Sequence, residues 1–89
     1  MKPFNPDAKC PIEQRTIEEL TIERYKQDAK WGHQHYDDDR DWFLIFAEEV
    51  GELSKAVCDL RFGRARWKAA RKELVQALAV GIAWLEDRP

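Results

Sequence analysis

Apolar residues in the middle of this chain recur at spacings of three and four, which is the period of an amphipathic α-helix. The pattern predicts a helix that begins near residues 39–41 and carries one apolar seam. Ile45 and Ala56 lie beside that seam, on the face shared with Glu49, which indicates a second, partly buried face. This helix therefore needs two partner helices. The seam consists of Phe43, Phe46, Val50, Leu53, Val57 and Leu60.

A second helical pattern precedes it and spans about residues 13–30. Thr16 and Glu19 have the spacing of a capping box near its start, and Gly32 breaks the helix at its other end. The acidic run at residues 37–39 then provides an N-cap for the next helix and negative charge at the positive end of its dipole.

A third helix is predicted over residues 65–86, after Gly63, which fits a helix stop. Its second half is apolar nearly all round, and its alanines allow neighbouring helices to approach closely. Its apolar stripe consists of Leu74, Leu78, Ile82 and Leu85.

Three such helices cannot cover both faces of the second helix and all sides of the third within one chain. We therefore expect an all-α fold in which three-helix chains pair into four-helix-type bundles, as a homo-dimer or tetramer. Residues 1–11 contain three prolines and are predicted to form an irregular arm. Residues 12–89 are predicted to form a single helical domain.

The composition sets limits on the class of protein. With 89 residues, the chain has room for one small domain. Fifteen Lys and Arg residues against 17 Asp and Glu give a net charge of −2, which argues against a protein that coats nucleic acid. The longest apolar stretch, residues 74–85, is shorter than the roughly 20 residues that span a membrane. Cys10 and Cys58 are too few for a disulfide framework, so we expect a reducing, cytoplasmic setting.

Three glutamates stand among apolar residues in the second predicted helix. Glu48 and Glu52 are four positions apart, and Glu49 and Glu52 three, so two carboxylates project together from one side. A hard cation such as Mg²⁺ offsets their repulsion and commonly binds together with substrate phosphates. Glu73 and Gln76 form a second pair, which antiparallel packing would set opposite the first. The alternative interpretation is that these acids form a solvated helix face.

The acidic pattern resembles a known family. Residues 48–52, with the sequence EEVGE, resemble the EExxE motif of the MazG-like all-α nucleoside triphosphate pyrophosphohydrolases. Residues 73–76, ELVQ, fall where that family has ExxD, and residues 30–34 resemble the segment before EExxE in small phage-type and integron-type members. The resemblance covers about residues 30–86. One departure is Gln76, an amide in place of an acid, which ligates a cation through its carbonyl oxygen but does not neutralise it.

The resemblance implies Mg²⁺-dependent hydrolysis of a nucleoside triphosphate, in particular a deoxynucleotide, to the monophosphate and pyrophosphate, with Mn²⁺ as an alternative ion. It also implies a homo-oligomer with its active site between helices, and a general base at Glu48 or Glu49. It implies metal ligands at Glu49, Glu52, Glu73 and Gln76. It implies nucleotide contacts from Lys30, Trp31 and Gln34.

Six basic residues without an intervening acid lie within residues 61–72, around the turn between the two acidic helices. A triphosphate carries about four negative charges, and guanidinium groups grip phosphate oxygens with paired hydrogen bonds. We therefore expect Arg64 and Arg71 to bind the phosphates. The alternative is a solvated loop whose charges balance the acids.

Aromatic and histidine residues flank the acidic loop. Trp31 and Trp42 offer an aromatic face for base stacking, although tryptophans of this kind are more often part of a core or interface. His33 and His35 lie in a polar loop without an evident partner, where they would polarise a phosphate or act as a general acid.

Two other functions fit parts of the pattern. A non-catalytic helical module would bind nucleotide or another protein without turnover, and Gln76 favours it. A small nucleic-acid-binding protein would use the basic run at residues 61–72, but the acidic total argues against it.

Overall fold

The computed structural model describes residues 5–88, which form three α-helices and contain no strand. The helices are α1 (Gln14–Trp31), α2 (Asp39–Arg61) and α3 (Trp67–Asp87). The all-α prediction is confirmed, and the predicted helix starts lie within two residues of those observed. Residues 1–4 of the predicted arm lie outside the described residues, and residues 5–13 precede α1 as turns, bends and irregular chain.

Local capping sets where the helices begin. Asp38 is the N-cap of α2, and its Oδ1 accepts the backbone N–H of Arg40 at 2.8 Å. The acidic run therefore caps α2 as predicted. The capping box predicted at Thr16 is wrong, because α1 begins after the N-cap Glu13, and the N–H of Thr16 binds the carbonyl oxygen of Glu13.

Two glycines mark the helix ends, as predicted. Gly32 is the C-cap of α1, and Gly63 follows the C-cap of α2. Their φ angles of 75° and 73° lie in the left-handed region, which glycine adopts without steric cost. The short link over residues 62–66 then returns the chain along α2.

The core lies between α2 and α3. Trp42 is fully buried, with 0% of its surface exposed, and packs with Val80 and Ala83. Its Nε1–H donates to Oδ2 of Asp87 at 2.7 Å, so the start of α2 lies beside the end of α3 and the two helices are antiparallel. The half-buried side chains around this core are Tyr36, Ile45, Phe46 and Trp84.

α3 is the central helix, because α1 also packs against it, whereas within the described chain α1 and α2 do not pack against each other. Arg71 binds Glu19 near the starts of both helices. Further along, the Nε2–H of Gln27 donates to the main-chain oxygen of Gln76 at 3.1 Å. α1 and α3 therefore run parallel.

The apolar surface of α2 is too wide for α3 alone to cover it. The half that faces α3 contains Phe46, Leu53 and Leu60, which are half buried. The other half contains Phe43, Val50 and Val57, which are exposed. Within residues 5–88, only one of the two predicted partner helices of α2 is thus present. Among the described residues, no helix combines the length and apolar character needed to cross a bilayer.

Candidate functional site

An open cleft of about 420 Å³ lies where the three helices meet. Five residues that the sequence singled out line it: Lys30, Trp31, Glu49, Glu52 and Gln76. Four others line it as well: Glu23, Lys26, Gln27 and Lys72. Two acids of α2, Glu49 and Glu52, therefore lie in one cleft with Lys30 and Trp31, two of the three residues predicted to contact a nucleotide.

α1 supplies one side of the cleft, and sequence reasoning missed three of its lining residues, Glu23, Lys26 and Gln27. Glu23, Lys26 and Lys30 recur at spacings of three and four, so they point to the same side of the helix. Gln27 lies among them and is 3% exposed. Its Nε2–H donates to the main-chain oxygen of Gln76 in α3, and its Oε1 accepts a hydrogen bond from Arg24 at 3.1 Å. These polar residues recur with the period of a helix, on a helix that must bury one side. That pattern was the signal in the sequence that could have predicted their place in the cleft.

Glu49 is the half-buried carboxylate of the cleft. Burial raises the pKa of Glu49 above its ordinary value of 4.5, and the charges of Glu52, Glu73 and Glu48 raise it further. The charge of Lys30 acts in the opposite direction. Four carboxylates are therefore close enough to repel one another at this point of the fold.

Glu73 reaches the same region from α3. Its Oε2 is buried and has no hydrogen-bond partner among the described residues. Burying a carboxylate oxygen without a partner is unfavourable, since such a group loses its hydration without compensation. This oxygen is therefore suited to an ion or to a polar group of a ligand.

The donor chemistry fits a hard divalent cation. Carboxylate and amide oxygens are the protein ligands of Mg²⁺, and an ion would relieve both the repulsion at Glu49 and the unpartnered oxygen of Glu73. Within residues 5–88, however, no three acidic, His or Cys side chains stand close enough together to hold an ion. The side chains of Glu49, Glu52 and Glu73 would have to rotate toward one another to share one.

The two tryptophans beside the acidic loop differ in their surroundings. Trp31 lines the cleft with 45% of its surface exposed, and Nζ of Lys30 lies 5.0 Å from the centre of a Trp31 ring. This ring remains accessible to a ligand. The hypothesis of an exposed stacking face on Trp42 is wrong, because the helix-helix core encloses that side chain.

Glu73 is not among the residues that line the cleft, and two other predicted residues also lie outside that set. Glu48 is exposed on α2, one position before Glu49, and influences the cleft through its charge. Gln34 is half buried in the loop between α1 and α2, where its Nε2 donates to the hydroxyl oxygen of Tyr36 at 3.2 Å.

The two predicted phosphate-binding arginines also lie outside that set. Arg64 binds Asp59, with Nε 3.1 Å from Oδ1, and its guanidinium carbon lies 5.3 Å from the centre of the Phe62 ring. Arg71 forms a two-pronged ion pair with Glu19. It lines a neighbouring groove of about 880 Å³ between α1 and α3.

His35 has the partners that the sequence did not reveal. Its Nδ1 lies 2.6 Å from Oδ1 of Asp87, and its Nε2 lies 2.9 Å from Oδ1 of Asp37. Hydrogen bonds to Asp87 and then to Asp37 raise the pKa of His35 above 6.5. The bond from His35, followed by those from the Tyr36 N–H and the Trp42 indole, holds the pKa of Asp87 well below 3.8. This cluster ties the α1–α2 loop to the end of α3.

No protein-family model, no curated protein and no solved structure matches this chain. The functional assignment therefore depends on the residues of the cleft and on their chemistry.

Proposed function

We propose that this chain is a Mg²⁺-dependent nucleoside triphosphate pyrophosphohydrolase of the MazG-like kind, which converts a nucleoside triphosphate, in particular a dNTP, to the monophosphate and pyrophosphate. The observation that supports this proposal is that the charges of Glu52 and Glu73 act on Glu49, which lines a cleft together with Lys30 and Trp31. Carboxylates suit a metal-bound polyphosphate, and an exposed aromatic ring suits a base.

In this proposal, Glu49, Glu52 and Glu73, with the amide oxygen of Gln76, would hold the metal ion. When bound, Mg²⁺ would neutralise phosphate charge and lower the pKa of a coordinated water, and Mn²⁺ would supply the same chemistry. Trp31 stacks on the base and thereby orients the nucleotide along the cleft.

The proposed reaction is an attack of water on the α-phosphorus. Glu49 lines the cleft whereas Glu48 lies on the exposed side of α2, so Glu49 is the better placed general base. It accepts a proton as the water oxygen forms its bond to the α-phosphorus. The bond from the α-phosphorus to the bridging oxygen breaks, and pyrophosphate leaves with that oxygen.

The test is product chromatography after incubation with each common dNTP and NTP plus Mg²⁺, with EDTA as a control. We expect monophosphate and pyrophosphate in equal amounts, and no products in EDTA. Glu52→Gln and Glu73→Gln should reduce turnover by at least about 100-fold, since each removes a metal-binding charge. Glu86→Gln, at an exposed position of α3, is the matched control and should retain full activity.

Release of diphosphate and inorganic phosphate would contradict the proposed bond cleavage. Absence of turnover with every nucleotide in both Mg²⁺ and Mn²⁺ would contradict the enzymatic proposal. It would favour a non-catalytic module that binds nucleotide or protein. The specific observation on the side of that alternative is the lack, within residues 5–88, of three side chains already converged on one ion position.

We also propose that two or more copies of the chain pair through an open face. We define the open face as the exposed apolar residues Phe43, Val50, Val57, Leu78 and Leu85. Its members on each helix are seven residues apart and therefore lie in line along α2 and α3. In this proposal, both lines contribute to one contact surface.

The surface area supports this pairing. The chain has an accessible surface of 7476 Å². A folded monomer of this length exposes about 5400 Å², so the chain exposes about 2000 Å² more. The exposed residues 5–13 account for part of this excess, and the exposed apolar residues of α2 and α3 contribute to the rest. Face-to-face packing of two α2–α3 layers would give α2 its second partner in a four-helix bundle.

Light scattering coupled to size-exclusion chromatography tests the pairing. We expect a mass of two or four chains, and dissociation when Val50→Asp places a charge in the open face. Lys55→Asp, on the polar side of α2, should leave the oligomer intact. A wild-type chain that is monomeric at micromolar concentration would overturn this proposal.

A further inference from the structure

We infer that Lys26 of α1 and Lys72 of α3 together form a phosphate-binding site at the mouth of the cleft. This inference rests on the proposed function and extends it, because it identifies which end of the cleft receives the terminal phosphates of the nucleotide. The ligand class is a pyrophosphate group, either free or as the β- and γ-phosphates of a nucleotide.

The two lysines lie where two cavities join. The cleft and the groove between α1 and α3 share three lining residues, Glu23, Lys26 and Lys72. Lys26 comes from α1 and Lys72 from α3, and both residues line the opening that the two cavities share. A phosphate group at this opening would be held between them.

Both ammonium groups are available to a ligand. Every ion pair within residues 5–88 that involves a basic side chain uses an arginine or His35, and none uses a lysine. Lys30, the third lysine of the cleft, instead lies over the Trp31 ring. Lys26 and Lys72 are therefore the uncommitted cations of the cleft wall.

The arginines that the sequence favoured are committed elsewhere. Arg71 is held by both oxygens of Glu19, and Arg64 by Asp59. Neither is among the residues that line the cleft. Their contacts join α1 to α3 and close the α2–α3 turn, so they shape the scaffold around the lysines.

The charge distribution matches an extended anion whose inner phosphate is bound to a metal. Glu49 and Glu52 place negative charge in one part of the cleft, whereas at its junction with the groove the two lysines, Lys26 and Lys72, outnumber one acid, Glu23. A metal-bound phosphate suits the acidic part, and the outer phosphates of the same chain suit the lysines. The groove beyond carries further basic residues, namely Arg15, Arg66, Lys68 and Arg71.

The test is calorimetric binding of inorganic pyrophosphate with Mg²⁺ present, a measurement that does not require turnover. We expect Lys26→Gln and Lys72→Gln each to weaken binding about fivefold to tenfold, and the double variant at least about 30-fold, because each removes a charge-assisted hydrogen-bond donor. Lys55→Gln, an exposed lysine on α2 outside the cleft, and Arg64→Gln should stay within about twofold of wild type. Lys72→Arg keeps the positive charge and should therefore retain most of the wild-type affinity for pyrophosphate, unlike Lys72→Gln.

Three outcomes decide the matter. Pyrophosphate binding that both lysine variants weaken, in a chain that hydrolyses no nucleotide, supports the site and overturns the proposed function. Hydrolysis with pyrophosphate binding that neither variant changes overturns the site and leaves the proposed function standing. A wild-type chain that does not bind pyrophosphate also overturns the site. Circular dichroism checks that each variant folds, which we expect because both lysines are exposed.

Discussion

The indole N–H of Trp42 donates to the carboxylate of Asp87, a residue 45 positions further along the chain, with Nε1 2.7 Å from Oδ2. The same carboxylate accepts the backbone N–H of Tyr36 at 3.0 Å and binds His35 through its other oxygen. One side chain, only 9% exposed, thus joins the loop before α2, the first turn of α2 and the end of α3. It organises the end of the molecule opposite to the α2–α3 turn.

Asp87→Asn should destabilise the fold, because the amide has one acceptor oxygen where the carboxylate has two. The indole of Trp42 would compete with the Tyr36 N–H and His35 for it, and Trp42 has no access to water. We expect the melting temperature, followed by circular dichroism, to fall by about 5 °C or more. Glu86→Gln, the exposed neighbour, is the control and should melt within a degree or two of wild type. Equal melting of D87N and wild type would show that the cluster is not stabilising.

Stability should depend on pH through the same cluster. The pKa of His35 is raised above 6.5, so its contribution is complete below that pH and is lost as pH rises through the folded pKa. The pKa of Asp87 is lowered from 3.8, so its contribution is complete above that pH and is lost on acidification. The lowered pKa values of Glu19, Asp38 and Asp39 add to the acid-side loss. Urea unfolding should therefore show maximal stability between these two pH values.

The variant His35→Gln separates the two limbs of this profile. It should flatten the decline in the free energy of unfolding above pH 6.5 and retain the decline at acidic pH. A wild-type profile that rises steadily from pH 6 to pH 9 would contradict the role of His35.

Glu73→Met should stabilise the metal-free protein, since it replaces a buried, unpartnered carboxylate oxygen by an apolar side chain of similar length. We expect the free energy of unfolding in EDTA to rise by about 1 kcal/mol. Addition of Mg²⁺ should stabilise the wild type but not the variant, because the variant lacks a metal ligand. Glu86→Met serves as the control. A wild type whose unfolding is indifferent to Mg²⁺ would count against the proposed metal site, whatever its activity.

Gly63→Ala should lower the free energy of unfolding by about 1 kcal/mol, because its φ of 73° is costly for a residue with a Cβ atom. Gly51→Ala is the matched comparison within α2, where a Cβ would meet nothing within 4 Å. It should raise stability by up to about 1 kcal/mol, since alanine is the better helix former. Chemical denaturation of both variants checks the contrast, and a neutral or stabilising G63A would contradict it.

The three helices could be predicted because their signals are local. Spacings of three and four, the glycines after α1 and α2, and the acidic N-cap of α2 each act within a few residues. The prediction at Thr16 was wrong for a related reason. A capping box requires its Ser or Thr at the N-cap, the last non-helical residue before the helix. In α1 that residue is Glu13, not Thr16.

The cleft could be predicted only in part. Glu49, Glu52 and Gln76 stood out as polar residues in apolar helices, and Lys30 and Trp31 stood out through the resemblance. Lys72 stood out only as a member of the basic run at residues 61–72. Glu23 and Lys26 did not stand out, because charged residues on a helix are usually solvated, and only the position of α1 on α3 brings them to the cleft.

By itself, the sequence determined the helical class, the helix boundaries and the acidic residues that make a metal-dependent function worth testing. The tertiary structure decided which faces meet. It buried Trp42 against Asp87, paired Arg71 with Glu19, and brought α1 beside the acids. These contacts join residues about 45 to 52 positions apart. They depend on which apolar faces of the helices pack together, and local sequence signals do not determine that, because it depends on the packing of the whole chain.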